Sequence, residues 1–366
     1  MVIIPACPCP ARPPEVILDE IGHPIVLAPL AGGPSTPELT AAVSDAGGFG
    51  FLATGYLSAE DTRGRLGRLR SLTDRPFGVN LFVPGEPTPP HEYESYARRL
   101  RSAAQATGAP VGKPRFDDDD DWTAKLELLA SEPPGVVSFT FGCPPSATVD
   151  ALHEAGSDVW VTVTNADEAE EAASASADAL VVQGAEAGGH RGSFVDGPGV
   201  QGHGLLASLQ LVGARVDVPL VASGGIATGA AIAAVLCAGA SAAQLGTAFL
   251  LCPEAGTPEV LREALPTPAP TDLTRAFTGR LARGIRNRFM AEHGEGAPTA
   301  YPEIHHLTAP LRAAARAAGD PNQVNLWAGE AHELAQAVPA AELVRQLGAY
   351  ARRALAAAGG RLSSEP

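Results

Sequence analysis

Along the first two thirds of the chain, short apolar runs alternate with longer stretches in which apolar residues return every third or fourth position. The runs fall at residues 24–29, 49–53, 77–81, 136–141, 158–163, 179–183, 218–222 and 242–245, and each predicts a β-strand. Between them, residues 37–46, 58–72, 93–107, 123–130, 146–155 and 205–212 predict helices, as do the alanine-rich stretches ending before Asp178 and at Cys237. Capping chemistry marks several starts. Ser35 or Thr36, Ser58, Asn165 or Asp167, and Thr228 stand where a side-chain oxygen takes up an unpaired N–H of the first turn. Gly47-Gly48 supplies a stop.

Eight strands alternating with helices is the count of an α/β protein of the (β/α)8 TIM-barrel class; a doubly wound sheet is the competing arrangement. Two features favour closure. Gly-rich turns, Ser223-Gly224-Gly225-Ile226 and Gln244-Leu245-Gly246-Thr247, follow the seventh and eighth strands, where barrels commonly hold a phosphate on backbone N–H groups. The helix due after the eighth strand is missing. Residues 253–336 are instead rich in Pro, Gly, Arg and His, and an amphipathic pattern returns only at 339–358, with Leu343, Leu347, Tyr350 and Leu355 near one face. Pro339 marks its start and Gly359 its end. The expected organisation is a barrel at 14–252 and 337–360, a mainly helical lid or substrate domain inserted at 253–336, and an N-terminal arm at 1–13.

Composition narrows the function classes. The chain has 366 residues, 45% of them hydrophobic, enough for one large core. Lys and Arg total 26 against 41 Asp and Glu, and the resulting charge of −15 argues against nucleic acid or an anionic membrane as the main partner. No run of 18 apolar residues and no export signal is visible, and the five scattered cysteines suit a reduced, cytoplasmic protein. Cys7 and Cys9 sit in the proline-rich arm without further ligands at metal spacing, so no metal site is expected. Five consecutive aspartates, Asp117 to Asp121, splay rather than converge; a solvated turn capping the helix at 123–130 is the expectation. Oligomeric state is not legible.

The chemistry concentrates at residues 183–192, Gln-Gly-Ala-Glu-Ala-Gly-Gly-His-Arg-Gly, directly after the sixth strand. Four of the ten are glycine, which lets another molecule approach the backbone, and they flank the titratable ring of His190. This predicts a ligand-cradling loop carrying a base, against the plainer reading of a histidine that merely closes the loop. Arg191 suits either an anion or a carboxylate that locks the loop.

These motifs carry a resemblance. Ala28-Pro29 before Gly32-Gly33, Gly78-Val79-Asn80, the 183–192 stretch, the two Gly-rich turns, and Thr278-Gly279-Arg280 with Ala282-Arg283-Gly284 occur in order along nearly the whole chain. Together they resemble the nitronate monooxygenases, formerly called 2-nitropropane dioxygenases. The resemblance implies FMN across the strand C-termini, beside Ala28, Pro29 and Leu30, where the family usually has methionine at the position of Leu30. It implies hydrogen bonds from Asn80 and Gln183 to the flavin or its ribityl chain, and close backbone approach at Gly188 and Gly189. Phosphate contacts are implied at Gly224, Gly225, Gly246 and Thr247, flanked by Ser223 and Gln244. His190 would be the catalytic base for a nitroalkane or a binding group for a nitronate anion, with O2 completing conversion to a carbonyl compound and nitrite. Tyr301 would line the substrate pocket. His305 and His306 match a family feature too, and as neighbours they suggest a hydrogen-bonded loop rather than a metal site. The competing activity is an FMN-dependent reductase passing hydride from NAD(P)H to a quinone or an enoyl thioester.

Overall fold

The computed structural model describes residues 17–197, 200 and 202–362. The N-terminal arm, with Cys7 and Cys9, lies outside the described residues. Eight strands form a closed parallel barrel: β1 (Ile25–Leu27), β2 (Phe49–Ala53), β3 (Phe77–Phe82), β4 (Val136–Thr140), β5 (Asp158–Val163), β6 (Ala179–Gln183), β8 (Leu220–Ser223) and β9 (Ala242–Leu245). The ring closes where β9 pairs with β1, Val26 opposite Gln244. A two-residue strand, β7 (Gly189–His190), follows β6 outside the ring.

Helices α1 (Pro37–Asp45), α2 (Ala59–Arg70), α3 (Pro90–Arg99), α4 (Arg101–Thr107), α5 (Trp122–Ser131), α6 (Ser146–Ala155), α7 (Ala166–Ser174), α8 (Leu205–Gly213) and α9 (Gly229–Cys237) make the connections. The expected caps are in place: Thr36, Ser58, Asn165 and Thr228 each accept an N–H three residues on. Alternation along the strands splits the apolar residues between two cores. Ile25, Leu27, Val159 and Val161 face the helices, whereas Val26, Phe49, Phe51 and Trp160 form a separate cluster with Ile17, Leu18 and Ile21 packed on it. The three rings lie 5.3–5.6 Å apart.

After β9 the chain forms α10 (Glu259–Ala264), β10 (Thr271–Thr274), β11 (Ala282–Ile285), α11 (Arg288–His293) and α12 (Glu303–Ala317), then returns through α13 (Ala340–Leu362). This is the inserted helical region, and it also contributes two strands. Those strands take β7 as a third, His190 opposite Ala282, so the insertion is hydrogen-bonded directly to the loop after β6. Tyr93, Tyr96 and Leu100 of α3 and its C-cap share a core with Phe277, Phe289, Ile304 and Leu307 of the insertion.

Four local expectations are corrected. The helix predicted at 93–107 begins at Pro90 and is divided at Leu100 into α3 and α4. The last helix buries Ala340, Leu343, Val344, Leu347 and Ala351, while Tyr350 and Leu355 are exposed, because the contact stripe on α9 and α1 follows the 343–347–351 row. It also runs through Gly359 to Leu362, since glycine weakens a helix by only about 1 kcal/mol and need not end it. The acidic run is solvated only in part: Asp117, Asp119 and Asp121 are exposed, whereas Asp118 and Asp120 are half-buried. Asp121 caps α2 through Ala59 N–H (2.9 Å) rather than its own helix, Asp120 accepts from Tyr56 N–H (2.7 Å) and pairs with buried Lys125 (2.8 Å), and Asp118 holds His306 (2.6 Å).

Candidate active site

A cavity of about 420 Å³ opens at the C-terminal ends of the barrel strands, within the roughly 300–1,000 Å³ of small-molecule sites. It gathers residues from the barrel strands and from the insertion. Ala28, Pro29 and Leu30 come from the end of β1, Asn80 from β3, Gln183, Gly188, Gly189 and His190 from β6 and its loop, Ser223, Gly224 and Gly225 from β8, and Gln244, Gly246 and Thr247 from β9. Every position assigned to the cofactor from sequence therefore meets in one cavity together with His190. Tyr301 is not among the lining residues. It stands one layer back, its ring 5.7 Å from that of His190 and its hydroxyl 3.1 Å from that of Tyr56, which does line the cavity.

The polar ring is built for a ligand with its own donors and acceptors. Asn80 donates through Nδ2 to Ser138 Oγ and Thr140 Oγ1, both 3.0 Å away; among the described residues nothing donates to its Oδ1. Gln183 is more committed. Its Oε1 accepts from Arg191 Nη1 (3.0 Å) and Gly192 N–H (2.9 Å), and its Nε2 donates to the His190 carbonyl (3.0 Å), leaving one N–H to spare. Arg191, only 1% exposed, also grips the carbonyls of Gln183 and Gly184. It thus locks the loop to backbone and amide oxygens, not to a carboxylate or an anion in the cavity. Glu186 caps α8 by accepting from Leu205 N–H at 3.0 Å.

Two glycines show what the loop demands. Gly224 has φ +122° and a Cβ there would lie 3.2 Å from Ala187 N, so only glycine fits the turn after β8 comfortably. At Gly188 a Cβ would lie 2.4 Å from Gly329 N. The close approach at Gly188 is therefore made by the returning 328–329 backbone of this chain. Thr247 Oγ1 accepts from Gly329 N–H at 3.0 Å, which leaves its own O–H to donate. No protein acceptor among the described residues takes the N–H groups of Gly224, Gly225 or Gly246. That set of free donors at the ends of β8 and β9 fits a phosphate.

His190 lies under an aromatic cage. Phe141, Tyr301 and Trp327 each place a ring centroid 5.7 Å from its own, and Nε2 is 2.9 Å from Thr278 Oγ1. Burial, and then the Arg280 and Arg312 guanidiniums, hold its pKa down to about 3, so the ring is neutral at ordinary pH. Arg280 stacks on Phe141, its guanidinium carbon 3.9 Å from the ring centroid. Tyr56 and Phe141 both hold left-handed backbone, φ 68° and 80°, at the ends of β2 and β4, and both line the cavity. Strain of this kind persists where surrounding structure enforces it.

His305 is the residue sequence reasoning undervalued. It lies with His306 in the first turn of α12, not in a loop, and it lines the cavity with its ring stacked on Tyr56 at 4.3 Å and 7°. His306 faces away to Asp118 and Arg115 N–H. An i, i+7 spacing to Arg312 was the signal available, since a helix brings those positions to one face. Arg312 Nη2 is 3.2 Å from His305 Nδ1, Nε donates to Thr308 Oγ1 at 3.0 Å, and no carboxylate pairs with Arg312 among the described residues. Among those residues there is no group of three or more His, Cys, Asp or Glu that could hold a metal ion.

Comparison with known proteins adds a family to this geometry. A family model described as nitronate monooxygenase matches residues 15–349. A nitronate monooxygenase of Pseudomonas aeruginosa is 43% identical over 336 residues, 89% of this chain and 95% of that protein. One from Paraburkholderia phytofirmans is 40% identical, again over 89% of this chain, and 92% of that protein. The crystal structure of a nitroalkane oxidase from Streptomyces ansochromogenes superposes with a TM-score of 0.92 at 48% identity, covering 93% of this chain and 99% of the other. FabK from Thermotoga maritima shares the fold at a TM-score of 0.74 and 26% identity, over 94% of this chain and 97% of its own.

Proposed function

The chain belongs to the nitronate monooxygenase family, and from that premise we propose that it oxidises alkyl nitronates, and neutral nitroalkanes through them, with FMN and O2. The observation that carries this reading is the sign of the site. Among the described residues, the charged side chains lining the cavity are Arg312 and Arg316, with no carboxylate, and His190 beside them is neutral. Such a field favours an anion, and it favours the nitronate over the neutral nitro compound from which it forms.

The donors at Gly224, Gly225, Gly246 and Thr247 hold the phosphate of FMN. Asn80 Oδ1 and the spare N–H of Gln183 are offered to the flavin and its ribityl chain, Ala28, Pro29 and Leu30 pack beside it, and Gly189, with open space where a Cβ would be, leaves it room. FMN, when bound, supplies the electron acceptor for the nitronate and the route to O2, giving a carbonyl compound and nitrite. The protein binds, orients and excludes water: the cage of Phe141, Trp327 and His190 forms the substrate side, with Tyr301 bracing it from behind. For a neutral nitroalkane, His190 is the group placed to take the α-proton. Residues 253–336 form the substrate-side unit over a barrel made of residues 14–252 and 337–360. With three free thiols at Cys143, Cys237 and Cys252 and no helix of the described residues long and apolar enough to cross a membrane, we assign it to the cytoplasm.

The test is an aerobic assay of the purified yellow protein on propyl-2-nitronate and nitroethane, scored by nitrite. Nitrite from the nitronate is expected; a flavin-loaded protein that releases none would end this reading. The likeness to FabK keeps a reductase reading open to one measurement. Fast anaerobic bleaching by NADH or NADPH, with none by nitronate, would favour it.

A further inference from the structure

We propose that Thr278 and Arg312 turn the two cavity-lining imidazoles opposite ways, so that His190 presents a bare Nδ1 to the substrate and His305 presents an Nε2–H. The inference rests on the proposed oxidation of nitro compounds and assigns each ring one end of the substrate.

The first half follows from counting hydrogens at Thr278. Its Oγ1 lies 2.9 Å from His190 Nε2 and 3.2 Å from the Arg280 carbonyl oxygen, and a hydroxyl has one hydrogen to give. If that hydrogen went to His190, the Arg280 carbonyl would have no donor among the described residues, in a segment where Thr278 is 1% and Arg280 8% exposed. Leaving a buried acceptor unpaired forfeits its hydration with nothing in return. If it goes to Arg280, all groups are satisfied: His190 Nε2–H donates to Thr278 Oγ1, and Thr278 O–H donates to Arg280. Nδ1 of His190 then keeps its lone pair, and no described residue bonds to it.

The turn that holds Thr278 has little freedom. Gly279 has φ +80°, and a Cβ there would lie 2.1 Å from the Ala300 carbonyl oxygen, whose residue also donates its N–H to the Gly279 carbonyl at 3.1 Å. Thr278 is thereby fixed against the His190–Ala282 pair of the three-stranded sheet.

The second half needs no choice of rotor. Arginine only donates, so Arg312 Nη2, 3.2 Å from His305 Nδ1, requires that nitrogen to be an acceptor. Neutral His305 therefore carries its proton on Nε2, where no described residue accepts it. Both imidazoles line the same cavity, and the Tyr301 ring behind its wall lies 5.7 Å and 6.5 Å from them between centroids.

The consequence is a division of labour. The α-carbon–hydrogen bond of a nitroalkane breaks, its proton passes to His190 Nδ1, and its electron pair moves into the nitro group, giving the nitronate. A nitronate oxygen accepts from His305 Nε2–H. The imidazolium formed at His190 is balanced by the anion formed in the same step. His305 is thus a further catalytic residue, and Thr278 a positioning residue acting through His190.

Nitrogen-15 spectra of the FMN-loaded protein labelled at histidine test this directly. Nε2 couples to both ring C–H protons and Nδ1 strongly to one, so protonated and bare nitrogens can be told apart, with H190N and H305N identifying the two signals. Nε2–H with bare Nδ1 is expected at both residues. A proton on Nδ1 of either ring in the parent protein overturns the proposal, whatever any variant does. In kinetics, T278V is expected to lose roughly 10- to 100-fold in kcat on nitroethane, the scale of lost orienting contacts, with little change on preformed nitronate and with T278S recovering most of the loss. H305F, which keeps the stack on Tyr56, is expected to raise KM for nitronate about tenfold, a size typical of one lost hydrogen bond to a charged group, while H305Q, which keeps a donor near the Nε2 position, raises it less. Equal kcat on nitroethane for T278V and the parent would overturn the role of Thr278. A parent protein that oxidises neither substrate would end the functional reading and leave the spectra to decide the tautomers alone.

Discussion

At the scale of single residues, the site depends on neutral rings kept neutral by their surroundings. His190 is held at about 3 against 6.5 in solution, and burial with Arg312 beside it holds His305 well below the same value. Unfolded, both rings take up a proton near 6.5; folded, they do not. Between pH 6.5 and about 3 the unfolded chain binds more protons, so stability falls as pH is lowered through that window. The drop in melting temperature from pH 7 to pH 4.5 is expected to be smaller in His190→Asn than in the parent, and an equal drop in both would contradict the assignment. The same variant is expected to lose roughly 10²–10⁴-fold on neutral nitroalkane, less on nitronate, and to keep its flavin by absorbance. Gly188 makes a different kind of demand. Its missing Cβ admits the 328–329 backbone, and Gly188→Ala should destabilise the protein by about 1–3 kcal/mol in urea unfolding and disturb Trp327 fluorescence.

At the scale of elements, the segment between α4 and α5 joins the barrel to the insertion. Asp120 accepts from the strained Tyr56 and pairs with Lys125, whose side chain is fully buried, while Asp118 reaches His306 of α12. Burial pushes the Asp120 carboxyl up to about 6, and Lys125 pulls against that shift. Removing one partner of such a pair leaves a buried charge uncompensated, a cost of about 3–5 kcal/mol. Lys125→Met is therefore expected to be strongly destabilised in a thermal melt, and adding Asp120→Asn should restore part of the loss. If the double variant is no better than Lys125→Met, the pair does not act as a unit. The aspartates could be read from sequence as caps, and one of them is. Their partners could not, because Tyr56, Lys125 and His306 come from three different elements.

At the scale of the whole molecule, the insertion and the barrel are tied at both ends of the site. The 271–285 hairpin extends the His190 loop into a sheet, and α13 returns to cover α9 and α1, with Ala340 N–H donating to Glu254 at 3.1 Å. At the α9 contact a Cβ on Gly229 would lie 2.4 Å from Tyr350 Cβ and 2.5 Å from Ala351 N. Gly229→Leu should push α13 away, and since α9 follows the turn after β8 that we propose holds the phosphate, its FMN content after dialysis should fall along with its melting temperature. Full retention of flavin would show that closure by α13 does not support the cofactor site.

Strand and helix positions, the closure of the barrel and the convergence of the glycine-rich turns with His190 follow from local pattern, because period, capping and turn chemistry are properties of neighbouring residues. Asn80, Gln183 and Gly224 could be picked out because the motifs that carry them resemble those of the family; Gln183 ends β6, Gly224 follows β8 and Asn80 lies within β3. Other features depend on contacts between residues far apart in the chain. Thr278 reaches His190 across 88 positions and Tyr301 reaches Tyr56 across 245. Sequence alone determined the barrel, the cavity's location and the residue types gathered there. Tertiary structure decided that Gln183 and Arg191 bind each other, that Tyr301 stands behind the wall and that His305 belongs to it, because each hydrogen bond goes to whichever partner folding brings within about 3 Å.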